Sequence, residues 1–153
     1  MATVFDVAKY FLNRSGQTGE LLTNLKLQKL VFYAQAWHLA VFGRELFPNH
    51  FEAWVHGPVC PDLYHQYRNY GYNPIPCVND CPCFPEDTAE LLEQVVELYL
   101  GESAYTLERM THGEGPWINA RGGLPPDAPS NSIITKDSMK NYYGQYVIRE
   151  NPS

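Results

Sequence analysis

The stretch LKLQKLVFYAQAWHLA, residues 25–40, carries the longest helical pattern in the chain and decides its fold. Thr23 precedes it as a typical N-cap and Gly43 follows it as a typical C-cap, which predicts a helix from Asn24 to about Phe42. A helix that is apolar around most of its circumference is covered on most sides, so we expect this one to be the central helix. Its apolar residues recur at three- and four-residue steps and widen beyond one stripe: Leu27, Leu30, Val31, Phe32, Tyr33, Ala34, Trp37, Leu39 and Val41.

Shorter elements are predicted on both sides of this helix. Capping residues and apolar spacing predict five further helices: from the Thr3 cap to about Asn13, Pro61–Arg68, Glu86–Leu100, Ser103–Met110 and Thr135 to about Val147. A short turn is predicted from Pro116 through Arg121. The segment 51–55 reads as a short strand that pairs with Ile133 and Ile134. The predicted fold class is mainly α, a single compact helical domain (residues 1–153) around a central apolar helix with a minor two- or three-stranded β element.

Composition excludes several classes of protein. Of the 153 residues, 44% are hydrophobic and 14% aromatic, which excludes a wholly disordered chain. The formal net charge of −6 argues against a nucleic-acid partner, because such proteins normally carry a basic footprint. No apolar run approaches the length of a membrane span, and residues 1–13 lack the features of a signal peptide. We therefore expect a cytoplasmic protein.

Three separated blocks of sequence carry a family resemblance. They are residues 25–40, residues 51–59 with Pro61 and Tyr64 after them, and residues 111–121. In this order and register the blocks resemble the Panacea domain family, known from SocA-like antitoxins and GepA-like phage-associated proteins. The residues that carry the resemblance are Tyr33, Trp37, Trp54, His56, Gly57, Pro58, Tyr64, His112, Trp117 and Arg121.

This resemblance implies an antitoxin of a bacterial or phage toxin–antitoxin pair, which neutralises a cognate toxin by direct protein–protein binding. It also implies an alternative, a proteolytic adaptor that delivers its toxin to a AAA+ protease such as ClpXP, as one family member does. No enzymatic activity is established for the domain, so we expect neither an enzyme nor a catalytic residue. The partners expected are a cognate toxin and, for the adaptor, the protease.

Two signature groups have a structural interpretation beside the functional one. Tyr33 and Trp37 lie four residues apart on one helix face, which favours core packing. Trp54, Gly57 and Pro58 form either a structural corner or a partner-facing loop, and turn chemistry favours the corner.

The third block contains the most chemically suggestive set. His112, Trp117 and Arg121 fit a small anion site, because arginine offers a planar fork for carboxylate or phosphate. They equally fit an internal polar clamp, with Arg121 paired to an acidic side chain and His112 capping a helix end. The clamp is preferred, since buried polar groups usually satisfy one another.

Charged residues supply the candidate partner-binding set. Glu86, Glu90, Glu93 and Glu97 step along one helical stripe, either as a solvated face or as a surface complementary to a basic toxin. Lys26 and Lys29 form a polar ridge on the central helix, either solvated or an anchor for an acidic partner group.

The four cysteines are the remaining candidates for a metal site or a catalytic site. Cys77, Cys81 and Cys83, with Cys60 or a histidine as the fourth ligand, are compatible with a zinc ion, although a plain reduced loop without cofactor is preferred. A small zinc-binding or thiol enzyme built on Cys60, His56 and this cysteine cluster is the third functional hypothesis. No GxSxG, HExxH or phosphate-binding glycine loop is present.

Overall fold

The central helix α2 (Asn24–Phe42) organises the computed structural model, which describes residues 1–147. The Thr23 side chain accepts a hydrogen bond from the backbone N–H of Lys26, and Gly43 ends the helix in the left-handed conformation with φ of 77°. Both caps were predicted. Nearly all side chains of α2 are buried, as expected for a helix enclosed on most sides.

The remaining elements surround α2. A 3₁₀ turn (Arg68–Tyr70) follows α3, and a π-helical turn (Val96–Leu100) follows α4. In chain order the helices and strands are α1 (Val4–Thr18), β1 (Phe51–Trp54), β2 (Gly57–Val59), α3 (Pro61–Tyr67), α4 (Glu86–Val95), α5 (Ala104–His112), α6 (Gly115–Ala120), β3 (Ile133–Ile134) and α7 (Lys136–Gly144).

The β element is a three-stranded antiparallel sheet in the order β2-β1-β3. Trp54 lies opposite Gly57 across the β1–β2 hairpin, and Phe51 lies opposite Ile134. The predicted pairing of the 51–55 segment with Ile133 and Ile134 is confirmed. One hydrophobic cluster takes side chains from each of α1 to α7, so the predicted mainly α fold around a central helix is also confirmed.

Helix α1 is longer than predicted. The predicted end near Asn13 is wrong, because the helix continues to Thr18 and ends at Gly19, whose φ is 80°. The Ser15 hydroxyl donates to the Leu12 carbonyl at 2.7 Å. A Cβ added to Gly16 would stand 2.9 Å from Cys77, so the loop that contains Cys77 packs directly against this turn. Tertiary packing therefore stabilises a helical turn that local propensity alone disfavours.

Two other helix ends also differ from the prediction. The segment predicted as one helix over Glu86–Leu100 is α-helical only to Val95, and the π-helical turn then completes it. The last helix ends at Gly144 rather than near Val147. Residues 148–153, predicted as the end of the single domain, lie outside the described residues.

Polar side chains inside α2 hold the loops that surround it. Gln28 accepts the Cys60 backbone N–H at 2.9 Å, and Gln35 accepts the Leu46 N–H at 2.7 Å. Gln35 also donates to the Phe47 carbonyl at 2.7 Å. These buried amides satisfy backbone groups that have no strand or helix partner, which fixes the entry to β1 and the start of α3.

Within residues 1–147, no helix is both long enough and apolar enough to cross a membrane.

Candidate functional site

Trp117 joins α6 to the β1–β2 hairpin. Its indole N–H donates to the Trp54 carbonyl at 2.8 Å. The His112 imidazole stacks on the indole, with ring centroids 3.9 Å apart and planes 16° apart. The Arg121 guanidinium lies 4.6 Å from the same ring's centroid, in cation–π geometry. The structure thus brings the three signature residues of the third block together, as predicted.

Arg121 is buried and holds two separate segments of backbone. Its Nη1 donates to the Ala53 carbonyl at 2.9 Å, on β1. Its Nη2 donates to the Pro125 carbonyl at 2.8 Å and to the Ala128 carbonyl. The guanidinium fork therefore ties the loop after α6 to the central strand of the sheet.

This geometry favours the internal clamp over the anion site. The expected acidic partner of Arg121 is wrong, because backbone carbonyls occupy both terminal nitrogens of the guanidinium. His112 is the last residue of α5, and its ring stacks on Trp117, with a buried Nε2 that has no hydrogen-bond partner within residues 1–147. Burial lowers the pKa of His112, so its imidazole is neutral near pH 7.

The tip of the β1–β2 hairpin packs on α2 and α5. His56 is exposed, and its Nδ1 lies 2.8 Å from a Glu108 carboxylate oxygen. Gly57 has a φ of +113°, and a Cβ there would meet the Thr111 hydroxyl at 3.1 Å and Lys29 Cε at 3.2 Å. The corner interpretation of Gly57 is therefore supported, since only glycine fits both the dihedral angle and the space.

The predicted lysine ridge is wrong as a surface feature, because Lys26 and Lys29 are both buried. Lys29 Nζ donates to the Leu25 carbonyl at 3.2 Å, and burial lowers the pKa of this amine to about 8. Lys26 lies 3.7 Å from a Glu20 carboxylate, and burial lowers its pKa too. Neither ammonium group is presented to a partner.

A network of hydrogen-bonded aromatic residues links α2 to the C-terminal half of the chain. The hydroxyls of Tyr33 and Tyr143 both donate to Glu114 Oε1, at 2.7 and 2.8 Å. Tyr33 stacks on Tyr99 with ring centroids 4.0 Å apart, and the Trp37 indole N–H donates to the Tyr99 hydroxyl at 2.9 Å. The predicted packing role of Tyr33 and Trp37 is supported by these contacts.

Glu114 is the member of this network that the sequence reasoning missed. Burial raises the pKa of its carboxyl, while the two tyrosine hydroxyls act in the opposite direction. The only signal in the sequence was its position between His112 and Gly115, inside the third block. Nothing local indicates that tyrosines 81 and 29 residues away converge on it.

The second block supplies a smaller cluster at the sheet. The Trp54 ring packs edge-on against Tyr64 with centroids 5.0 Å apart, and its indole N–H donates to Glu52 at 2.8 Å. Pro58 is buried within β2. These residues fix the hairpin against α3.

The four predicted glutamates do not share one environment. Glu93 accepts a 2.7 Å hydrogen bond from the Tyr10 hydroxyl and pairs with Arg14 at 3.1 Å, so it joins α4 to α1. Glu86 lies in the first turn of α4, where the positive end of the helix dipole stabilises a carboxylate.

The other members of the stripe are presented to solvent. Glu86, Glu90 and Glu97 are all exposed, and none of the three forms an ion pair within residues 1–147.

The cysteines fall into two groups. Cys60 is fully buried, and burial raises the pKa of its thiol. Cys77, Cys81 and Cys83 are exposed free thiols in the loop before α4. In the part of the chain that the structure describes, no group of three His, Cys, Asp or Glu side chains is arranged to hold a metal ion. The zinc site stays a prediction from the cysteine spacing alone.

Comparison with known proteins identifies relatives of the chain. Residues 27–118 match the family model described as antitoxin SocA-like, Panacea domain. Among curated proteins, Antitoxin SocA of Caulobacter vibrioides (strain NA1000 / CB15N) is 30% identical over 126 residues. The matched part covers 72% of this chain and 66% of that relative's length. No solved structure gives a significant match.

Proposed function

Because the chain belongs to the antitoxin SocA-like Panacea domain family, we propose that it is an antitoxin that neutralises a cognate toxin by direct protein–protein binding. The observation that carries the proposal is the family match, which runs from inside α2 into α6. Every predicted signature residue except Arg121 lies within that range. The similarity to a curated antitoxin supports the same role.

The burial of the signature residues bears on where a toxin would bind. Tyr33, Trp117 and Arg121 are buried and engaged with other parts of the chain. They serve as scaffold, and contact with the toxin falls to exposed residues outside that scaffold. Glu90 and Glu97 remain available as partner-binding residues, whereas Lys26 and Lys29 do not.

The proposed mechanism is stoichiometric masking without turnover. The surroundings of Cys60 disfavour the thiol-enzyme alternative, because burial raises the thiol pKa and a nucleophile needs a thiolate. His56, the candidate base, is directed to Glu108 instead. A base must lie within hydrogen-bond reach of the nucleophile that it activates.

Co-expression with the product of the neighbouring open reading frame tests the proposal. We expect that product to stop growth when induced alone, and growth to recover when this chain is co-expressed. The two proteins should copurify as a stoichiometric complex. Absence of both rescue and copurification would overturn the antitoxin role.

The half-life of the toxin separates masking from proteolytic delivery. Masking predicts an unchanged or longer toxin half-life, and rescue that persists in cells without ClpXP. An adaptor would instead shorten the half-life, and rescue would disappear when the protease is absent. That second outcome would retain toxin binding and replace the masking mechanism.

A further inference from the structure

An apolar groove lies between the central helix and α4. Trp37 and Val41 line it from α2, Leu91 and Val95 line it from α4, and Leu98 and Tyr146 complete it. Its volume is about 520 Å³. The spacing from Trp37 to Val41 is four residues, and the spacings from Leu91 to Val95 and to Leu98 are four and three. Each helix therefore presents one row of apolar side chains to the groove.

Two large side chains of this groove are left exposed. Leu98 and Tyr146 are each 60% exposed, although most of the side chains that line the groove with them are apolar. Leu98 lies in the π-helical turn, which keeps Tyr99 and Leu100 in the core and leaves Leu98 outside it. Such turns occur frequently at functional sites. Adjoining exposed apolar residues are typical of an interaction surface, whereas single ones are ordinary.

The charges beside the groove restrict what can occupy it. Among residues 1–147, no charged residue lines it. Glu90 lies four residues before Gln94, which lines the groove, and Glu97 lies three residues after it. Both glutamates are exposed, and no Lys or Arg occurs between Arg68 and Arg109 to offset them. An occupant that complements this surface has an apolar face with basic residues at its flank.

We propose that this groove receives an amphipathic helix of the cognate toxin, with large apolar residues on one face and Lys or Arg beside them. The proposal rests on the antitoxin function proposed above. Two adjacent helices form a groove into which the side-chain ridge of a third helix packs. In the part of the chain that the structure describes, no strand of the sheet lines the groove, so an extended segment would find no backbone edge there to pair with.

Matched leucine substitutions test the groove. Leu98→Gln removes apolar surface from the groove without adding charge, and Leu21→Gln makes the same change in the loop between α1 and α2, where the side chain is 69% exposed. We expect Leu98→Gln to weaken binding of the neighbouring gene product by about tenfold or more, because a leucine side chain that becomes buried on binding removes apolar surface from water. Leu21→Gln should change the Kd by less than about twofold. Calorimetric titration of purified proteins provides both values.

A second variant and a measurement of folding distinguish loss of the groove from loss of the fold. Tyr146→Ser should reproduce the loss at the other end of the groove, and thermal unfolding should show that both variants are folded. If the wild-type chain binds the toxin and both groove variants bind equally well, the groove proposal fails while the antitoxin function stands. If the wild-type chain binds nothing, the antitoxin function itself fails.

A second copy of this chain is the competing occupant. We expect light scattering to show a monomer for the free wild-type protein. A dimer that Leu98→Gln dissociates would assign the groove to self-association and overturn the proposal.

Discussion

Lys29 is the least exposed charged side chain within residues 1–147. It is buried in the central helix, donates to the Leu25 carbonyl, and faces Gly57 at the hairpin tip. Glu108 is the nearby acid that favours the charged form, but desolvation outweighs it and lowers the pKa of the amine to about 8. The folded state therefore holds a proton on Lys29 less firmly than the unfolded state does.

A pH dependence of stability follows from this lysine. Its pKa is lower in the folded chain, so its destabilising effect is complete below about pH 8 and is relieved as pH rises toward the unfolded value of 10.5. Lys29→Met should raise the free energy of unfolding near neutral pH. This gain in unfolding free energy of the variant over the wild type should be smaller at about pH 10 than at neutral pH, by something on the order of 2 kcal/mol.

Urea unfolding at several pH values measures this difference. Lys9→Met removes an exposed lysine and serves as the matched control. If the difference in unfolding free energy between Lys29→Met and the wild type varies with pH no more than that of Lys9→Met, the lowered pKa of Lys29 is disproved.

At the scale of elements, the β1–β2 hairpin depends on one glycine. Gly57 needs a positive φ and also approaches Thr111 and Lys29 closely. Gly71 also has a positive φ, but no atom of residues 1–147 lies within 4 Å of the position its Cβ would take. Substitution at either position strains the backbone, and substitution at Gly57 adds a steric contact.

We predict that Gly57→Ala lowers the free energy of unfolding by about 2–3 kcal/mol, and Gly71→Ala by only about 1 kcal/mol. The larger loss arises because the added methyl group must also displace a buried lysine stem and a hydroxyl. Chemical denaturation of both variants measures the losses. Equal losses would mean that the hairpin tip adjusts without cost.

At the scale of the whole molecule, the distribution of charge matters more than its total. The net charge is −6, but the acidic groups differ in what they do. Glu93 holds α4 to α1, and Glu114 accepts two tyrosine hydroxyls inside the fold. Glu90 and Glu97 are left facing solvent beside the apolar groove.

This distribution predicts a salt-sensitive effect on toxin binding. Glu90→Gln with Glu97→Gln should slow association with a basic toxin about three- to tenfold at low salt, because exposed charges steer encounter. The effect should fade near 1 M salt, where screening is strong. Stopped-flow association rates across a salt series measure it.

Asp80→Asn with Asp127→Asn removes the same amount of charge from exposed positions elsewhere and is the matched control. Equal slowing by both double variants would show that only the net charge matters.

The sequence alone predicted the helices and most of their boundaries, because those depend on local contacts. Thr3, Thr23, Ser103 and Thr135 each accept a hydrogen bond from the backbone N–H three residues later, as their spacing indicated. The three signature blocks and their family were also readable from the sequence. The positions of the signature side chains relative to one another were not.

Tertiary structure alone decided which side chains face the core and what they meet there. Lys29 looked like part of a solvated ridge and is buried, because the hairpin and α5 cover that side of α2. Arg121 met backbone carbonyls from a strand and a loop instead of an acid. Of the four glutamates on one helical stripe, only Glu93 is paired within residues 1–147, because its carboxylate meets Tyr10 and Arg14 of α1. Helical spacing determines which residues share a face, but burial and partners depend on segments distant in the chain.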